Sequence, residues 1–176
     1  MNLQGLRVDV FPYCLCTSVT PKALAALLES GVPGADGRGS YRDEHPWFAA
    51  RELLGSAEGA GQALPLVIAT GDPLELSHWA LVTRIDVVEL HRGQWETACD
   101  FGRLRAVNPI WTALDSLFLK PGDDQLRRER LEPIRKHRQV LDAQHVFPYA
   151  ICETPAFVAR ELGNGETSEG GEEPRG

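Results

Sequence analysis

Four cysteines, five histidines and a few short charged clusters are the residues of this chain best suited to chemistry. Cys14-Leu-Cys16 places two thiols two residues apart, and Cys99 and Cys152 stand alone. A structural zinc site normally draws on Cys-x-x-Cys pairs, and no second pair exists, so the four are expected to be reduced, buried thiols. A thiol nucleophile would need Cys99 or Cys152 beside His78, His91 or His145, in an accessible, electropositive setting. Arg42-Asp43-Glu44-His45, and Glu75 with His78, have the side chains for acid–base or metal work. Their positions read more simply as a helix start and a strand edge. No Gly-rich phosphate loop, Gly-x-Ser-x-Gly or His-Glu-x-x-His occurs. The expectation is that the chain carries no catalytic residue, metal or cofactor.

The largest charge feature is Leu126 to Arg138. It holds Arg127, Arg128, Arg130, Arg135, Lys136 and Arg138, a third of the 18 basic side chains, against Glu129 and Glu132. Such a run is either a solvated helix face or a patch that contacts phosphates and releases counterions. The formal charge of −7 is uneven: residues 161–176 contribute −4, leaving −3 for the rest. Four tryptophans, with Tyr13 and Tyr41, serve either as core or as the lining of a base-stacking pocket.

The elements that position these groups centre on Leu64 to Phe101. Leu64–Thr70, Trp79–Leu90 and Gln94–Phe101 are rich in β-branched and aromatic residues and are bounded by Gly, Pro and Asp, so they read as strands. His91-Arg92-Gly93 suits a hairpin turn, and Trp95, Thr97, Cys99 and Phe101 alternate with polar residues. The apolar phase of the long strand slips at Val87–Val88, which predicts a β-bulge. Upstream, Arg7–Thr17 reads as an opening strand with Cys14 and Cys16 on one face. A helix follows, with Thr20 at its N-cap, Pro21 at its first position and Gly31 beyond its end.

Val32–Ser40 reads as a loop, and Pro46–Leu54 as a second helix with Asp43 or His45 near its cap. Asn108-Pro109 opens an expected third helix running to Lys120. Asp123-Asp124 caps a short basic helix over Gln125–Leu131, and Val146–Cys152 reads as a last strand. The expected fold class is α+β: a mostly antiparallel, bulged sheet able to curl into a barrel, with three to four flanking helices. One domain is expected over residues 1–162, then a disordered acidic tail over 163–176 whose composition cannot bury enough apolar surface to order itself. The longest apolar runs fall well short of the roughly 20 residues that span a bilayer. The start lacks a basic stretch followed by an apolar block, so the expected location is cytoplasmic and no membrane partner is expected.

Taken in order, the opening strand, the helix ending Ala49-Ala-Arg-Glu-Leu-Leu54, the strand Ala80-Leu-Val-Thr-Arg-Ile-Asp-Val-Val88 and the segment Arg105-Ala-Val-Asn-Pro-Ile110 resemble PUA-like barrels. The resemblance is to EVE-type domains in particular, relatives of YTH and ASCH domains, and covers about Val8 to Ile110. It implies a non-catalytic nucleic-acid-binding module that reads a flipped or single-stranded modified base in an aromatic pocket. Trp47 and Trp79 would then stack the base, and Arg127, Arg128, Arg130, Arg135, Lys136 and Arg138 would contact phosphates. Two alternatives stand beside it. One is an acidic interaction or inhibitory module that engages a protein partner through the tail, and the other is a small Cys/His-dependent enzyme.

Overall fold

The computed structural model describes residues 8–30, 39–132 and 138–164. Among the described residues seven strands form one sheet: β1 Tyr13–Ser18, β2 Gly39–Asp43, β3 Pro65–Thr70, β4 Glu75–His91, β5 Gln94–Phe101, β6 Arg105–Ala106 and β7 Ala150–Glu153. Four helices of the described residues flank it: α1 Pro21–Ser30, α2 Phe48–Gly59, α3 Asp123–Leu131 and α4 Ala156–Asn164. The strand order is β2-β5-β4-β3-β1-β7, with β6 also paired to β4. Only β1 and β3 run parallel; the other pairs are antiparallel. The fold is α+β with flanking helices, as expected. The sheet does not close into a barrel, because it ends at β2 on one side and β7 on the other. Residues 147–149 bridge part of that gap with side chains: the Tyr149 ring lies 4.7 Å from that of Trp47, and its hydroxyl accepts from the Ala50 amide.

Both faces of the central strands are covered, which explains why β1 and β3 are continuous apolar runs without alternation. On one face Leu15, Leu66, Ile68, Val82, Ile85 and Phe101 pack with Leu24 of α1 and Ala50, Leu54 and Ala57 of α2. On the other, Cys14, Cys16, Val67, Ala69, Trp79 and Cys152 pack under Leu117, Leu141, Val146, and Phe157 and Val158 of α4. Among the described residues no helix is long and apolar enough to cross a membrane.

Several elements differ from their expected form. β2 lies partly where a loop was expected; its Gly-Ser-Tyr-Arg-Asp sequence carries almost no strand signal, and pairing with β5 creates it. Residues 32–38 of that expected loop, and Gly31, expected just beyond the end of α1, lie outside the described residues. Helix α2 runs through Gly55 to Gly59, because Ala57 continues its buried stripe; it ends near Gly61, which has a left-handed φ of 68°. The register shifts of β4 fall between Val82 and Arg84 and between Glu89 and His91 against β5, and between Leu76 and His78 against β3, rather than at Val87–Val88.

The helix expected from Asn108 to Lys120 is two short 3-10 turns, Pro109–Trp111 and Leu114–Ser116. The Asn108 side chain does cap the first turn, accepting from the Ile110 amide. The chain then extends: Ala113 bridges Glu75, Phe118 bridges Val140 and Leu119 bridges Cys152. Those pairings satisfy the backbone in place of helical bonds. The last strand starts at Ala150, not Val146. Gly163 and Asn164, the first two residues of the expected tail, complete α4; residues 165–176 lie outside the described residues.

Candidate functional site

The parallel strands β1 and β3 end side by side, and their C-terminal ends open into a cleft of about 710 Å³. Its polar wall comes from Ser18 at the end of β1 and Thr20 beyond it, Tyr41 and Arg42 of β2, and Asp72 in the turn after β3. Val19 and Leu74 supply apolar surface. Phe147 stands at the cleft with 64% of its surface exposed. Thr20 is fixed as the cap of α1, its hydroxyl accepting from the Ala23 amide at 3.1 Å. Thr70 ties the two strand ends together by donating to the Val19 carbonyl at 2.8 Å.

Asp43, at the end of β2, organises the neighbouring loop. Its carboxylate accepts from the Glu44 amide at 2.9 Å and from Trp47 Nε1 at 2.7 Å, and lies 3.1 Å from His45 Nδ1. The His45 ring meets Phe147 edge to face, with centroids 5.1 Å apart. Thr97 pins the same loop to β5: its hydroxyl donates to the His45 carbonyl at 2.6 Å and accepts from the Trp47 amide at 3.1 Å. Arg42 reaches Glu96 of the central hairpin at 3.1 Å, with its guanidinium largely in solvent. Residues 42–45 therefore converge with the β4–β5 hairpin. Burial, and secondarily the Asp43 charge, raises the Tyr41 pKa, so its hydroxyl is a donor at neutral pH.

The expected stacking residues sit elsewhere. Trp47 and Trp79 are both fully buried. Trp47 is held between Tyr149, Tyr41 and the Asp43 carboxylate. Trp79 donates from Nε1 to Glu161 of α4 at 3.0 Å and carries the Arg105 guanidinium over its ring. Neither indole face is open to solvent. The exposed aromatic ring at the cleft is Phe147, which lies before the last strand instead of within it.

The basic segment divides. Arg127, Arg128 and Arg130 are exposed on α3, but Asp123 and Asp124 on the same helix offset part of their charge, and Arg127 pairs with Asp124 at 3.4 Å. Arg138 is enclosed between Glu129 at 3.1 Å and Glu153 at 3.5 Å, so its charge is committed to internal pairs. Arg135 and Lys136 lie outside the described residues. Because Glu153 pairs with Tyr13 at the start of β1, α3 is attached at the end of the sheet remote from the cleft. The length of β1 puts roughly 20 Å between them.

All four cysteines are free and buried. Cys14 and Cys152 are cross-strand partners, and Cys16 shares their face. Burial pushes the Cys99 and Cys152 thiols up to about 12, and those of Cys14 and Cys16 well above their usual value. Protonated, enclosed thiols are poor nucleophiles. Among the described residues no three His, Cys, Asp or Glu side chains gather as a metal-ligand set. Compared with protein-family models, curated proteins and solved structures, the chain matches none of them.

Proposed function

We propose that this protein is a non-catalytic nucleic-acid-binding module that holds a single-stranded or flipped base, in modified form, in the cleft at the ends of β1 and β3. The observation that carries the reading is Phe147: a large ring, mostly exposed, braced by His45 at a cleft whose other walls bear hydroxyls, a carboxylate and a guanidinium. A nucleobase needs one π-face to stack on and donors and acceptors at its edge. Phe147 offers the face. Ser18, Thr20 and Tyr41 offer hydroxyls, Asp72 accepts, and Arg42, which meets Glu96 through one nitrogen, keeps most of its guanidinium in solvent, where a backbone phosphate can compete for it. The Arg127, Arg128 and Arg130 face of α3 enters this reading as a secondary contact for a strand long enough to run the length of the sheet.

The test is fluorescence anisotropy with labelled single-stranded RNA and DNA, plain and base-modified, at two salt concentrations. Salt-sensitive binding is expected, about tenfold weaker for Phe147→Ala, since stacking contributes about 1–3 kcal/mol per base. Arg42→Ala should lower the salt dependence by about one counterion. Charge reversal at Arg127 and Arg130 affects only the longer strands. Absence of binding to every probe, or binding indifferent to Phe147→Ala, would defeat the proposal.

A further inference from the structure

A second, smaller cavity lies at the opposite end of β1, between the 3-10 turns, the end of β7 and the start of α4. Its volume is about 280 Å³. Three rings, Trp111, Phe118 and Phe157, form its aromatic wall. Trp111 and Phe157 lie nearly parallel, 24° apart with centroids separated by 6.5 Å. Trp111 is 41% exposed and Phe118 40%, so the wall is open on one side rather than closed as core. A cavity of this size falls just below the range of drug-sized pockets and suits one ring with a short substituent.

One cation stands at the cavity. Arg160, one turn into α4, lines it, and among the described residues no carboxylate pairs with this guanidinium. The first turn of α4 contributes Ala156 and Phe157 to the same lining. The Thr154 hydroxyl donates to the Phe11 carbonyl, so its proton is already engaged. Glu153 would repel an anion, but its carboxylate is held by Arg138 at 3.5 Å.

An apolar ring fits the aromatic wall, and an anionic group attached to it meets Arg160 in the fork geometry that guanidinium and carboxylate share. From this arrangement we infer that the cavity binds an aromatic ring carrying a carboxylate one or two carbons away. Two sources present that chemistry, a free arylalkanoate and the C-terminal phenylalanine of a peptide. The inference is independent of the cleft at the other end of the sheet.

The experiment uses the full chain labelled with 15N and follows the Trp111 indole N–H, identified by its loss in Trp111→Phe. The probes are 3-phenylpropionate, its uncharged alcohol 3-phenylpropanol, and the tripeptide acetyl-Ala-Ala-Phe with a free or an amidated C-terminus. Saturable shifts of Trp111 are expected with 3-phenylpropionate and the free-acid peptide. Binding should weaken about tenfold or more in the alcohol, in the amide and in Arg160→Gln, the loss expected for one charge-assisted contact. Tighter binding of the free-acid peptide than of phenylpropionate identifies a chain terminus as the source, and the reverse order identifies a small molecule. Unchanged Trp111 shifts with every probe, or equal affinity for acid and alcohol, or full affinity in Arg160→Gln, would overturn the inference. Arg160 is exposed, so its replacement leaves the fold intact.

Discussion

Removing the Asp43 carboxylate should cost this protein a large part of its stability and disturb the cleft as well. The side chain is only 12% exposed. It accepts from Trp47 Nε1 at 2.7 Å and the Glu44 amide at 2.9 Å, and lies 3.1 Å from His45 Nδ1. Glu44 and His45 sit near the surface, where water can replace the lost partner. Trp47 is fully buried, so in Asp43→Ala its indole N–H is left unsatisfied in the interior. An orphaned buried donor costs about 1–3 kcal/mol, and losing a charged acceptor adds to it, so the expected destabilisation is about 2–4 kcal/mol. In a chain of this size that lowers Tm by roughly 5–15 °C. Asp43→Asn keeps an acceptor for Trp47 and should lose about half as much. Urea denaturation followed by tryptophan fluorescence gives both values. Because His45 also braces Phe147, Asp43→Ala should weaken ligand binding in the cleft under conditions where the variant is still folded. A destabilisation below about 0.5 kcal/mol would refute the reasoning, since it would mean that Trp47 finds another acceptor at no cost.

Two further perturbations test the packing and the thiols. A Cβ on Gly39 would lie 2.7 Å from Cζ of Phe101, a ring buried in the core with little room to move. Gly39→Ala should therefore destabilise by about 1–3 kcal/mol through overpacking, and Phe101→Leu in the same chain should recover part of the loss. Alkaline pH should also unfold the protein. Burial raises all four thiol pKa values, Cys99 and Cys152 to about 12, so the native state keeps protons that the unfolded chain releases above about pH 8.5. Stability is then fully present below that pH and falls by about 1.4 kcal/mol per pH unit for each such thiol as pH rises toward the folded values. The raised Tyr41 and Tyr149 pKa values act in the same direction at higher pH. Urea midpoints at about pH 7, 9 and 10.5 measure the slope, which Cys99→Ala should reduce; a flat profile would contradict the burial argument.

Much of this was legible in the residues themselves. Thr20-Pro21 fixed the start of α1 because a cap hydroxyl and a preset φ act locally, and the Thr20 to Ala23 bond bears that out. The apolar runs marked β3, β4 and β5, since strands covered on one or both faces must be written in apolar residues whatever their partners. Free, buried cysteines followed from their number and spacing.

Other features depend on what folding brings together. The strand β2 exists because β5 pairs with it, and residues 109–120 give up a helix because Glu75, Val140 and Cys152 offer backbone partners. Composition could not tell that Trp47 and Trp79 would lie in the core while Phe147 stands in solvent, because indole and phenyl rings suit either place and only packing decides. Likewise Arg138 reads as one more cation in a basic run until Glu129 and Glu153 close on it from a helix and a strand distant in sequence. The sequence determined which segments must be buried, through the local chemistry of caps and apolar runs. The tertiary structure decided which side chains remain at the surface to meet a ligand, because exposure depends on contacts between residues far apart in the chain.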